Sequence, residues 1–136
     1  MSKFVETVIS LGSNIEKERH LPEAIRLLRR HRRIDVRKVS RFFESAPVGG
    51  PQGAPDFFNA AMVACTDLDP QELREELRHI EEVLGRVRTD DRNAPRTIDL
   101  DVVYYGDLIA EFDDWQLPDP AATAEPHVAI PIADVA

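Results

Sequence analysis

Cysteine occurs once in these 136 residues, at Cys65, so no internal disulfide can form. A chain without disulfides suits a reducing compartment. No apolar run approaches the ~20 residues that a membrane-crossing helix needs. No charged, then apolar, then small-residue leader opens the sequence, and a cytoplasmic protein is expected. Positive charge is also scarce. Seventeen Lys and Arg face 25 Asp and Glu, a formal charge of -8, which argues against general nucleic-acid or membrane-surface binding. Of the four histidines, His20, His31 and His79 fall on helical surfaces or ends without metal-ligand partners, so no chemistry is expected of them. Internal repeats and low-complexity segments are missing too. A 43% hydrophobic content in 136 residues suffices for one compact domain, 1–136, and is too little for two.

The apolar residues are ordered by period. Phe4 to Leu11 reads as a strand, and Gly12-Ser13-Asn14 supplies turn chemistry after it. Leu21, Ala24, Ile25 and Leu28 recur at helical spacing, giving an amphipathic helix that ends near His31. Ile34 to Phe43 alternates as a second strand. Ser45 to Asp56 holds Pro47, Gly49, Gly50, Pro51, Gly53 and Pro55, which mark a long loop of the kind that often carries function. Phe57 to Thr66 is a strand with Asn59 in its interior. Asp69-Pro70-Gln71-Glu72 is a capping-box helix start, Leu73, Leu77, Ile80 and Leu84 line one face, and Gly85 is a stop. A charged loop from Arg86 to Pro95 leads to a strand over Thr97 to Tyr105, and an irregular tail broken by Pro118, Pro120, Pro126 and Pro131 follows. The order β, α, β, β, α, β predicts an α+β, ferredoxin-like fold: a four-stranded, mainly antiparallel sheet with two helices on one face.

Within the last strand, Arg96-Thr97-Ile98-Asp99-Leu100-Asp101-Val102-Val103 places two carboxylates two residues apart where Asp is normally depleted. Alternation puts Asp99 and Asp101 on one face, roughly 6.5–7 Å apart along the strand, with Ile98, Leu100 and Val102 on the other. Paired carboxylates of this kind are half the shell of a hard cation, since Mg²⁺ takes one or two and completes its octahedron with water and substrate phosphates. Arg86, Arg88, Arg92 and Arg96 cluster beside them and suit an anion. The plainer reading stays open. The aspartates could face solvent on a half-exposed sheet, and the arginines could pair on the surface with Glu81, Glu82, Asp90 and Asp91 at little gain in stability.

Four ordered motifs converge on one family: Leu11-Gly12-Ser13-Asn14; Pro55-Asp56-Phe57-Phe58-Asn59-Ala60-Ala61; Glu81 with Gly85-Arg86-Val87-Arg88; and Pro95-Arg96-Thr97-Ile98-Asp99-Leu100-Asp101 followed by Gly106. Together they resemble the 6-hydroxymethyl-7,8-dihydropterin pyrophosphokinases of folate biosynthesis. The resemblance implies transfer of the terminal diphosphate of ATP to the pterin hydroxymethyl group, with release of AMP. It makes Asp99 and Asp101 ligands of two Mg²⁺ ions on the triphosphate. Arg86 and Arg88 match loop arginines of the family and Arg96 one beside the phosphates, while Arg92 joins them on the nucleotide side. Glu81 is implied at the nucleotide end of the site. Ser45, Val48, Phe57 and Asn59 fall in the implied pterin pocket, where a ring to stack on and an amide for the pterin edge are wanted. The expected partners are small molecules, dihydropterin and ATP, for a monomer or weak homodimer.

The tail departs from the family pattern. Pro118-Asp119 stands for the usual Pro-His pair, Glu125 for an arginine and His127 for an aromatic, and Asn93 stands where a Trp is common. His127 can still stack on a pterin, whereas Asp119 and Glu125 would repel ATP unless they point away or meet cations. The chain stops at Ala136, earlier than many members, so the family's last element is expected to be missing. These changes favour, as the alternative, a non-catalytic homologue that binds a pterin or nucleotide in a regulatory or complex-forming role.

Overall fold

A computed structural model of the chain describes residues 4–46, 56–86 and 97–136. In chain order these form β1 (Val5–Ser13), α1 (Lys17–Arg30), β2 (Ile34–Val39), β3 (Phe43–Ser45), β4 (Phe57–Thr66), α2 (Pro70–Val83), β5 (Asp99–Tyr105), β6 (Ala110–Glu111), β7 (Gln116–Leu117), α3 (Ala121–Ala124) and α4 (Pro126–Val135). The main sheet runs β2-β4-β1-β5 with β3 also on β4, and every pairing in it is antiparallel. It thus has five strands rather than the four expected. The extra strand comes from a break in the expected Ile34–Phe43 run. At the break the Ser40 N–H donates to Ala61 O (2.8 Å), while the Ser40 hydroxyl, not a carbonyl, accepts from Ala61 N–H (2.8 Å). A register shift between Val36 and Lys38 re-phases β2, so Val39 joins Ile34 and Val36 at the core where alternation alone would have placed Lys38.

One face of the sheet carries Ile9, Leu11, Ala60, Met62, Ala64, Leu100 and Val102. Onto them pack Leu21, Ala24, Ile25 and Leu28 of α1 and Leu73, Leu77 and Ile80 of α2. Each large side chain fully withdrawn from water contributes about 1.5–3 kcal/mol, so this single cluster dominates stability. Asp69 caps α2 as the sequence predicts: its carboxylate accepts from Glu72 N–H (2.8 Å) and the Glu72 carboxylate accepts from Asp69 N–H (2.9 Å).

The other face explains why the tail is not irregular. Pro126 opens α4, where its missing N–H costs nothing, and the helix continues through Pro131 because packing outweighs one lost backbone bond. Val128, Pro131 and Val135 are buried, and α4 lies chiefly against β4. Val103, turned opposite to Val102, joins Ala122 and Val128 in a second small core. Gly12 and Ser13, expected in a turn, extend β1 instead: Ser13 is fully buried and its hydroxyl donates to Thr97 O (2.5 Å). His20 is likewise buried rather than on a helical surface, its Nδ1 at 2.5 Å from Ile15 O. No helix among the described residues is long and apolar enough to cross a membrane.

Candidate active site

Cross-strand register assembles the site. Asp99 pairs with Gly12, Gly12 with Asn59, and Asn59 with Phe43, so one row crosses β5, β1, β4 and β3. The next row on the same face is Asp101, Ser10 and Ala61. Asp99 and Asn59 are two strand spacings apart, roughly 9–10 Å. Carboxylates therefore stand at one end of a shared floor and an amide at the other. Gly12 lies between them, where an added Cβ would sit 3.6 Å from Asn59 Oδ1 and 3.7 Å from Phe57 Cδ1. Its value is space: any longer side chain would rise from the floor between the two ends.

At the acidic end, Asp99 is half-buried and Asp101 keeps solvent-accessible surface. Protein atoms nevertheless crowd Asp101, and this burial, then the charge of Asp99 and its hydrogen bond, then Glu81 and Asp119, push its carboxyl well above the ordinary range. Such a pair binds a proton or a cation in preference to standing doubly ionised. Arg86 partly answers the charge. Its Nη1 donates to Asp99 Oδ1 (2.8 Å) and to Ile98 O (3.1 Å), and lies 3.3 Å from Glu81 Oε2. Burial opposes the guanidinium charge, but Asp99, then Glu81 and Asp101, outweigh it and raise its pKa.

Glu81 is buried in α2, and its Oε2 accepts from Leu100 N–H on β5 (2.7 Å). It thus ties the helix to the aspartate strand and holds Arg86 beside Asp99. Gly85 makes this possible. With φ at +88° it ends the helix in the left-handed region, and Arg86 N–H turns back to Glu81 O (3.0 Å).

At the amide end, Asn59 is 4% exposed, and its Nδ2 donates to Ser45 Oγ (2.7 Å) and Phe43 O (3.3 Å). With both amide hydrogens engaged by the protein, Oδ1 faces the Gly12 floor as an acceptor. Phe57 is half-buried and pairs with Ser45 across β3 and β4. Val48, Arg88, Arg92 and Arg96, and with them Asn93, lie outside the described residues.

The tail runs past the acidic end. Asp119 N–H donates to Val103 O (2.9 Å), and the Asp119 carboxylate accepts from Ala121 N–H (2.9 Å) at the start of α3. Its charge acts on Asp101. Glu125 precedes α4 and has His127 Nδ1 3.9 Å from its Oε2, so the two residues face each other. Ser13, read from the sequence as part of a turn and of the first motif, instead pins the end of β1 to Thr97, a link between residues 84 apart that no local pattern signals.

A family model described as 7,8-dihydro-6-hydroxymethylpterin-pyrophosphokinase matches residues 8–136. The chain is 40% identical over 130 residues to the bifunctional protein FolKE of Lactococcus lactis subsp. lactis (strain IL1403), covering 95% of this chain and 37% of that one. It is 38% identical over 128 residues to the 2-amino-4-hydroxy-6-hydroxymethyldihydropteridine pyrophosphokinase of Bacillus subtilis (strain 168), covering 93% and 75%. The protein of the same name from Synechocystis sp. (strain ATCC 27184 / PCC 6803 / Kazusa) is 35% identical over 130 residues, covering 95% and 65%. The chain thus spans little over a third of the bifunctional relative and three quarters of the Bacillus enzyme. With the matched segment running through all four motifs and both ends of the site, the chain belongs to the 7,8-dihydro-6-hydroxymethylpterin-pyrophosphokinase family.

Proposed function

We propose that this chain transfers the terminal diphosphate of ATP to the hydroxymethyl group of 6-hydroxymethyl-7,8-dihydropterin, releasing AMP. One observation carries the reading: the Asp99–Gly12–Asn59 row, which sets a carboxylate at one end and an amide at the other of one continuous floor, suited in this proposal to a cation and to a heteroaromatic edge. The names of the Bacillus and Synechocystis relatives support it over a non-catalytic homologue. The strand order β2-β4-β1-β5, with α1 and α2 sharing one core, supports the ferredoxin-like arrangement.

The residues present fit Mg²⁺. Among the described residues no group of three or more His, Cys, Asp or Glu is placed to hold a metal, but Mg²⁺ needs only one or two carboxylates with phosphates completing its shell. Asp99 and Asp101 would hold it, as two ions in this proposal. The metal would neutralise phosphate charge and align the triphosphate. The protein's own part is chiefly positioning, because phosphoryl transfer demands little covalent chemistry. Asn59 Oδ1 accepts from the pterin edge, Ser45 orients the amide, and Phe57 offers stacking surface; a stacking role for His127 rests on the family resemblance alone. Glu81 acts by holding Arg86 and Leu100 rather than by touching the nucleotide. Arg86, with Arg88, Arg92 and Arg96, supplies positive charge for the phosphates. The reading implies small-molecule partners only, a cytoplasmic setting, and a monomer or weak homodimer.

The test is formation of AMP and pterin diphosphate from 6-hydroxymethyl-7,8-dihydropterin, ATP and Mg²⁺. Wild type should turn over, and Asp101→Ala should fall to background while remaining folded. Equal turnover in both would remove Asp101 from the site.

A further inference from the structure

The pterin end of the site is built on a short ladder. β3 contributes three residues, paired to β4 as Phe43 with Asn59, Glu44 with Phe58 and Ser45 with Phe57. A ribbon this short is marginal unless something holds it. The outer pairs face the site floor, and the middle pair, Glu44 with Phe58, faces the helices, where Phe58 packs on the main core.

Lys17, the first residue of α1, meets this middle pair from behind. Its Nζ donates to Asp56 O (3.2 Å), lies 3.7 Å from Glu44 Oε2, and sits 4.9 Å from the centroid of the Phe58 ring. The Lys17 side chain is only 16% exposed, so its charge is largely withdrawn from water although Glu44 is not. The Glu44 pair alone contributes little. The bond to the Asp56 carbonyl and the contact with the aromatic face are the stronger components. Together they join α1 to β3 and to the residue that precedes β4.

We propose that Lys17 is a positioning residue for pterin binding: it fixes the β3–β4 ladder from its rear, and so sets the spacing of Ser45, Phe57 and Asn59 on the front. It touches no substrate. The proposal rests on the pyrophosphokinase reading for its ligand, but not for its structural half.

Two variants test it. Lys17→Met keeps an unbranched stem over Phe58 and removes the charge, and Lys17→Arg restores the charge. In Lys17→Met the dissociation constant for 6-hydroxymethyl-7,8-dihydropterin should rise about tenfold, that for ATP should change by less than about twofold, and Lys17→Arg should recover most of the loss. Pterin affinity unchanged in Lys17→Met, or pterin and ATP weakened equally, overturns the proposal. Should wild type bind no pterin, the functional reading fails. Amide exchange then decides the positioning role: faster exchange at Glu44, Ser45 and Phe57–Asn59 in Lys17→Met, reversed in Lys17→Arg, supports it, and unchanged protection overturns it.

Discussion

Asp101 carries an electrostatic cost in the folded chain. Its folded pKa is raised above the ordinary 3.8, first by burial and then by Asp99. The group therefore favours folding when protonated. That contribution is full below its unfolded pKa and is lost as pH rises through the folded value. In the metal-free protein at pH 7–8 the ionised pair opposes folding, so Asp101→Asn should raise Tm there and change it little near pH 4. Solvent contact screens the repulsion, which holds the gain to about 1 kcal/mol, or about 3 °C for a domain of this size. Mg²⁺ should raise the wild-type Tm, more at pH 8 than at pH 6, and leave Asp101→Asn almost unmoved. Differential scanning fluorimetry across pH checks both, and a variant less stable than wild type at pH 8 would show that the pair is not under strain. The aspartates were legible in the sequence because a period of two is a local property. The position of Glu81 was not, since its bond to Leu100 N–H joins residues 19 apart on different elements. Nor was the burial of His20, which depends on a carbonyl five residues back.

Elements were legible where pattern and punctuation agreed. The capping box at Asp69 and the stop at Gly85 both bracket α2 in the structure. Gly85 also makes the link from element to site, because its left-handed backbone returns Arg86 toward Glu81 and Asp99. A Cβ at Gly85 meets nothing within 4 Å, so replacement by Ala costs only backbone strain, about 1 kcal/mol. Gly85→Ala should therefore lower Tm by about 3 °C yet reduce kcat about tenfold or more, through a misaimed Arg86. Denaturation and steady-state kinetics measure the two together; loss of stability with kcat intact would detach Gly85 from the site. The β2–β3 break was not legible, for it depends on a hydroxyl replacing a ladder carbonyl at Ser40. The tail was misjudged for a related reason. Four prolines read as breakers, but Pro126 occupies a helix start, and packing on the second sheet face carries α4 through Pro131.

At the scale of the whole molecule, the proposed reaction asks a chain of net charge -8 to receive a polyanion. The sheet solves part of this by topology: antiparallel β1 lies between β4 and β5, so residues 12, 59 and 99 share a row that no local pattern could reveal. The tail then adds negative charge at Asp119 and Glu125, where the family resemblance leads to the expectation of a histidine and an arginine, and Asp119 reaches Asp101 through space. Asp119 has a second task, since its carboxylate accepts from Ala121 N–H at the start of α3. Asp119→Asn separates the two, because an amide oxygen keeps the bond while the charge is lost. The variant should fold normally and bind ATP with Mg²⁺ about three- to fivefold more tightly at low ionic strength, the gain shrinking as salt rises toward the regime where the Debye length is about 3 Å. Isothermal titration at two salt concentrations checks this. An affinity gain that ignores salt would point to altered contacts, and no gain at either salt would mean that Asp119 is screened from the phosphates by the cations that Asp101 attracts.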